Sequence, residues 1–248
     1  MKNNYYFPHV ATFFFLLTVI VALVSWIGSI YGLGTVQSLL SPEGIRWELR
    51  HITSNYVKAP ALGIIMILLF GLGIASYSGM VNAIGRILKR GKQLTRKEKR
   101  ALLFSACILF IYSLTIIMTT FAPWTILRSI TGSLENSPFQ QGIYYLISFG
   151  IGLSGVVFGY TSGRFRNDRD IIRGMTFLFI RFADYFVILF FIVQFFSSLL
   201  YTNLTEWIGI DSSIMVYVFH VCCFIPFIGM LNLSLIHISE PTRRRGIS

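Results

Sequence analysis

Charge is what this chain has least of. Of its 248 residues only 12% are Asp, Glu, Lys or Arg, about half the share carried by a water-soluble domain. A soluble cytoplasmic enzyme and a disordered tail are both excluded, since each needs far more polar surface. Cysteine is nearly absent as well. The three present, Cys107, Cys222 and Cys223, all fall in apolar stretches, where they act as small apolar residues. With no CxxC pair and no Cys/His ligand spacing, neither a disulfide framework nor a zinc site has support. No Gly-x-Gly-x-x-Gly follows a strand, which removes a phosphate loop. Nothing implies a cofactor or metal, and no constellation supports an enzyme.

What is abundant is apolar surface: 54% hydrophobic residues, 23 Phe and a mean hydropathy of +0.68. A bilayer core takes about 20 apolar residues per helix. Charge-free runs of that length recur at Val10–Pro42, Ala59–Gly85, Ala101–Leu127, Asn136–Gly163, Tyr185–Thr205 and Ser212–Ser239. They predict an all-α, polytopic membrane protein, a single transmembrane domain over residues 1–232. Its spans are expected at about 10–31, 60–82, 102–122, 140–162, 183–203 and 213–232. The first lacks a small-x-small cleavage site before Trp26, so it reads as a retained span rather than a signal peptide.

The net charge of +11 then has a topological meaning. The N-terminal segment, the loop from Arg86 to Arg100 and the loop from Arg164 to Arg181 carry fourteen Lys and Arg between them; the opposite loops carry four. The richer side is cytoplasmic by the positive-inside rule, which places the N-terminus inside. The lipid bilayer, not nucleic acid, is the expected partner. Residues 164–173 are expected to turn in solvent and lead into an interfacial amphipathic helix, with Ile171, Ile172, Met175 and Phe179 on its apolar side. Glu43, Trp47 and Trp207 are expected at the opposite interface, the two Trp in an aromatic belt.

Residues Leu233–Arg243 match, letter for letter, one translated frame of a transposase-based sequencing-library adapter. Residues 233–248 are therefore expected to lie outside the natural reading frame.

A second resemblance covers nearly all of residues 7–204. Its strings are Phe7-Pro-His-Val10, Ser38-Leu-Leu-Ser-Pro-Glu-Gly-Ile-Arg-Trp47, Pro60-Ala-Leu-Gly63 through Gly71-Leu-Gly73 to Ser78-Gly79, and Leu94-Thr-Arg-Lys-Glu-Lys-Arg100. Ser137-Pro-Phe139, Gly159 through Gly163 into Arg166-Asn-Asp168, and Gln194-Phe195 to Thr202-Asn-Leu204 follow in order. Together they resemble the p-aminobenzoyl-glutamate transporter (AbgT) family of bacterial inner-membrane proteins. The resemblance implies a homodimeric secondary transporter in the inner (cytoplasmic) membrane. Such a protein moves p-aminobenzoyl-glutamate or related aromatic compounds across the membrane by an ion gradient. It also implies a gap near residues 80–93. There the family carries further spans and its first re-entrant hairpin, and its second hairpin should follow residue 232. Both elements that line the family's substrate site are thus expected to be missing, leaving a fragment inactive in transport. The rival expectation is a non-transporting membrane scaffold.

Polar groups inside the spans are the remaining candidates for function. Gln194, in mid-span, reads either as an interhelical hydrogen-bonding residue or as a substrate contact. Asn203 matches the Asn of the family's Ser-Asn-Leu string, which makes it a candidate site-lining residue; capping or helix–helix bonding is the other reading. Asp184 is expected at a helix start after Arg181, and His220 as a packed, hydrogen-bonded residue beside Cys222 and Cys223. Gly155, Gly159 and Gly163, with Gly150 and Ser154 nearby, predict a close helix-packing seam.

Overall fold

The computed structural model describes residues 9–88, 94–122, 126–129 and 132–238. Among them are ten helices and no strand, and six helical stretches are long and apolar enough to cross a membrane. The chain divides into two compact units, residues 1–63 with 182–248 and residues 64–181.

In the first unit, α1 (Val10–Ile30), α2 (Pro42–Val57), α9 (Leu204–Trp207) and α10 (Ser212–Ile238) surround α8 (Ala183–Tyr201). Helix α8 is apolar on most of its sides, as a helix packed against several neighbours must be. Phe14 and Phe15 of α1 meet Phe195 and Phe191 at 5.7 and 5.8 Å between ring centroids. Helix α10 runs antiparallel to α8, with Phe227 against Phe182 and Phe219 against Phe196. The Tyr185 hydroxyl donates to the Cys223 carbonyl at 3.1 Å.

Helix α2 occupies what the sequence presents as the first loop. Its start has an ordinary local cause: Ser41 caps it by accepting from the Gly44 N–H at 3.0 Å, and Pro42 sits in the first turn. The 31–41 segment is tied to its neighbours before that cap. Leu39 N–H donates to the Ser25 hydroxyl at 3.2 Å, and Gln37 N–H donates to the Thr202 carbonyl at 3.1 Å.

The second unit holds residues 64–77 of α3 (Pro60–Tyr77), with α4 (Met80–Leu88), α5 (Arg96–Phe121), α6 (Pro138–Ser162) and α7 (Asp168–Arg181). The expected span 60–82 is interrupted. Helix α3 ends at Tyr77, Ser78 donates back to the Ala75 carbonyl, and Gly79 adopts φ 84° before α4 begins. A side chain at Gly79 would also strike the Arg164 guanidinium. Helix α5 starts earlier than the expected 102 because Thr95 and Glu98 form a reciprocal capping box. Glu98 also pairs with Arg86 of α4.

Helices α5 and α6 pack antiparallel. Ser105 donates to the Ser154 carbonyl at 3.0 Å and Tyr112 to the Leu146 carbonyl at 2.9 Å. The other side of α6 meets α3 almost backbone to backbone. Gly71 N–H donates to the Ser148 hydroxyl at 3.0 Å, which in turn donates to the Ile67 carbonyl at 2.5 Å. A Cβ on Gly155 would lie 2.9 Å from the backbone of Ala75. The glycine seam is therefore Gly152 and Gly155 against Gly71, Ile74 and Ala75, while Gly159 makes room for the Phe165 ring. Gly163 takes no part. It ends α6 in the left-handed conformation, φ 80°, with open space around it.

The amphipathic helix is present as α7. Its packed face runs through Ile171, Gly174, Met175 and Leu178, whereas Ile172 points away and is 59% exposed. Residues 89–93, within the basic Arg86–Arg100 stretch, and 239–248, the end of the adapter-like tail, lie outside the described residues. The backbone of α10 continues through Ile238.

Candidate functional site

The polar groups of the first unit converge on one seam, between α2 and α8. Gln194 and Ser198 stand at i and i+4 on α8, and Thr202, which ends the helix in helical conformation, continues the same face at i+8. All three are buried. Opposite them α2 runs antiparallel, its register set by three contacts. Trp47 stacks on Tyr201 at 4.4 Å, Gln194 Nε2 donates to the Ile52 carbonyl at 2.9 Å, and the Tyr56 hydroxyl donates to the Phe186 carbonyl at 3.0 Å. This register brings Glu48, one turn before Ile52, to face the Ser198 hydroxyl. His51, on the next turn, stacks on Trp47 at 5.0 Å and holds its Nδ1 2.8 Å from the Trp47 carbonyl.

Gln194 thus bonds another helix through its amide nitrogen, while its Oε1 has no partner. Asn203 lies beyond the polar face, in the turn before α9, with φ 52°. Its Nδ2 donates to the Thr35 carbonyl at 3.3 Å, tying the α8–α9 turn to the 31–41 segment. The structure does not bring Gln194 and Asn203 into one cluster; they bond different backbone carbonyls, those of Ile52 and Thr35. Asp184 occupies the first turn of α8 and is exposed, a position where a carboxylate complements the helix dipole. His220 holds its Nδ1 2.7 Å from the Val216 carbonyl one turn earlier on α10. Trp47 faces a neighbouring helix, whereas Trp207 is 53% exposed.

Sequence reasoning missed Glu48 and Ser198. The available signal was the Ser41-Pro42-Glu43 helix start, followed by apolar residues mixed with charge, which marks Pro42–Val57 as an amphipathic helix rather than a loop.

The outward faces of the long helices are apolar. On α5, Leu103, Phe110 and Ile111 are 63%, 70% and 57% exposed, which only a lipid solvent tolerates. The fold therefore defines a multi-pass helical membrane protein. The chain belongs to the AbgT putative transporter family, whose model matches residues 3–90 and 84–238. Its fold is similar to that of the YdaH transporter of Alcanivorax borkumensis. The TM-score is 0.70 at 16% identity over 82% of this chain and 74% of that one. It is also similar to MtrF of Neisseria gonorrhoeae, described as illuminating a class of antimetabolite efflux pumps. There the TM-score is 0.73 at 16% identity over 82% of this chain and 71% of the other. These relatives are transporters, not enzymes. No curated protein matches the chain.

Proposed function

We propose that this chain is the membrane scaffold of an AbgT-type secondary transporter for p-aminobenzoyl-glutamate or related aromatic compounds, driven by an ion gradient. The observation that carries this reading is the pair of family-model matches, residues 3–90 and 84–238. They meet at the α4–α5 junction, where the sequence resemblance places its gap. The scaffold is supported by close backbone packing that needs no substrate to hold it: Gly71 on Ser148, Gly155 on Ala75. It belongs in the inner (cytoplasmic) membrane with the N-terminus inside, on the fourteen-to-four bias of Lys and Arg, and acts as a homodimer. Near residues 80–93 it lacks a segment that the family carries, and residues 233–248 are the adapter-like tail.

A scaffold that lacks the substrate-lining hairpins binds no aromatic solute and moves none. The experiment compares p-aminobenzoyl-glutamate flux in cells expressing this chain with flux in cells expressing a frame that spans the junction with the missing family segments restored. Saturable flux only with the restored frame is expected. Saturable flux through this chain alone would overturn the scaffold reading, and none through either frame would overturn the substrate.

A further inference from the structure

Helix α5 is the least covered of the six membrane-crossing stretches, and its outward face changes character once. Arg96, Arg100, Leu103, Cys107, Phe110 and Leu114 follow one another at steps of four and three, so they form one line along the helix. All six are exposed. On the opposite side Ala101 packs with Phe158 of α6, and Ser105 donates to the Ser154 carbonyl. The apolar part, Ala101–Phe121, rises about 30 Å at 1.5 Å per residue, which fills the hydrocarbon core of a bilayer. Arg96 and Arg100 then stand within about 8 Å outside that core, in the layer of the headgroups.

No acid answers these cations. Glu98 is the only carboxylate in the sequence of α4, α5 and α6. Two residues on from Arg96, it points to the other side of α5, where it closes the cap with Thr95 and pairs with Arg86. Among the described residues Arg96, Lys97, Lys99 and Arg100 make no ion pair. A lipid-facing line that ends in uncompensated cations at headgroup depth selects for negative charge. Every phospholipid has a phosphate, but the amine or choline of a zwitterionic one finds no carboxylate here. An acidic phospholipid brings net negative charge, and guanidinium groups take phosphate oxygens in pairs. A second copy seated face to face on α5 does not suit the line. Two copies in one membrane orientation would bring Arg96 and Arg100 of each to the same depth, like charge against like.

We infer that the outward face of α5 holds an acidic phospholipid, its phosphate at Arg96 and Arg100 and its acyl chains along Leu103, Cys107, Phe110 and Leu114. Every residue of the site follows the 80–93 junction on one continuous helix. The site therefore stands whether or not the chain transports.

The full chain with Cys222 and Cys223 replaced by alanine keeps a single thiol, Cys107, in the middle of the line. A fluorophore on that thiol is quenched by brominated acyl chains that dwell on the face. The protein is reconstituted in phosphatidylcholine with a minor share of phosphatidylglycerol, the bromine placed on one lipid or the other. Quenching by brominated phosphatidylglycerol should exceed its share of the bilayer by about fivefold or more, the attraction that a single base near the surface supplies, and should fall as salt rises. Arg96→Gln with Arg100→Gln should bring the ratio to about one; if the double variant does not fold, each taken singly should lower it. Arg166→Gln with Arg169→Gln removes two exposed cations in and before the first turn of α7 and should leave the ratio unchanged. Equal quenching by the two lipids at equal share, or a preference that the Arg166 and Arg169 pair abolishes equally, overturns the site. So does an unlabelled Cys107 that forms disulfides between copies while its fluorophore is shielded from both lipids. Quenching is read without flux, so its failure is separate from failure of the transport reading.

Discussion

Replacing Gly155 with alanine tests the seam on which the second unit is built. The new methyl would sit 2.9 Å from both Cα and N of Ala75, and 3.1 Å from Ile74. Two of those three atoms are backbone and cannot swing aside. Reaching ordinary contact at 3.4 Å requires α3 and α6 to part locally by about 0.5 Å, enough to forfeit a quarter or more of each close atom-pair attraction along the seam. The Gly71-to-Ser148 hydrogen bond, already 3.0 Å, lengthens with it. Overpacking of this kind costs about 1–3 kcal/mol, offset by up to about 1 kcal/mol because alanine is the better helix former. The net is a loss of about 0–3 kcal/mol, and at its middle, about 1.5 kcal/mol, a Tm lowered by roughly 3–6 °C. Gly142 of the same helix is the matched control. Nothing lies within 4 Å of its Cβ position, so Gly142→Ala should stabilise by about 0.5–1 kcal/mol. Gly152→Ala, at 3.4 Å from Gly71, should fall between the two. The assay is thermal unfolding of the three variants in one detergent, followed by circular dichroism. A Gly155→Ala protein as stable as Gly142→Ala would refute the backbone-contact argument.

Two further perturbations concern the ends of helices. Thr95→Ala removes half of the capping box that starts α5 and should cost about 1 kcal/mol. Glu98→Gln keeps the box but loses the charge paired with Arg86, and should cost less than about 1 kcal/mol; protease susceptibility near residue 95 separates them. Asp170 accepts from the N–H groups of Arg166 and Asn167 at 2.9 and 3.4 Å. These two bonds, followed by the charges of Arg173 and Arg166, hold its carboxyl below the ordinary value of 3.8. A depressed folded pKa stabilises above the unfolded value and loses that contribution as pH falls through the folded one. The Arg166 and Asn167 amides should therefore stay protected from hydrogen exchange at neutral pH and lose protection only below the usual Asp range. Asp170→Asn should abolish that pH dependence; an unchanged profile in the variant would point elsewhere.

The membrane-spanning architecture was legible because lipid solvent leaves a coarse mark. Stretches without charge, such as Ala101–Leu127, need no knowledge of neighbours to be read as helices. Helix α7 was legible for the opposite reason, through the mixture of apolar and charged residues after Arg166. Helix α2 hides between these cases. Its charges break any apolar run, and its contacts depend on a register with α8 more than a hundred residues away. The same register decides what Gln194 touches. Its partner is the backbone carbonyl of Ile52, which has no side-chain signature, and the proximity of Glu48 to Ser198 follows only once that pairing is known. Gly163 shows a different ambiguity. Spaced four residues from Gly159 it continues a packing pattern, yet the same residue type is what ends a helix, and here it ends one.

The pairing of α8 with α1 and α2 also has a consequence in time. Tyr56 and Phe186 are 130 residues apart, Ile52 and Gln194 are 142. At about 5–20 residues per second of synthesis, α1 and α2 emerge roughly 7–30 s before their principal partner exists. Residues 64–181 are contiguous and can pack as they leave the ribosome. The first unit cannot. During that interval the Glu48 side of α2 has no α8 to cover it, so nascent chains stalled before residue 183 are the ones to hand over to insertion machinery or quality-control proteases.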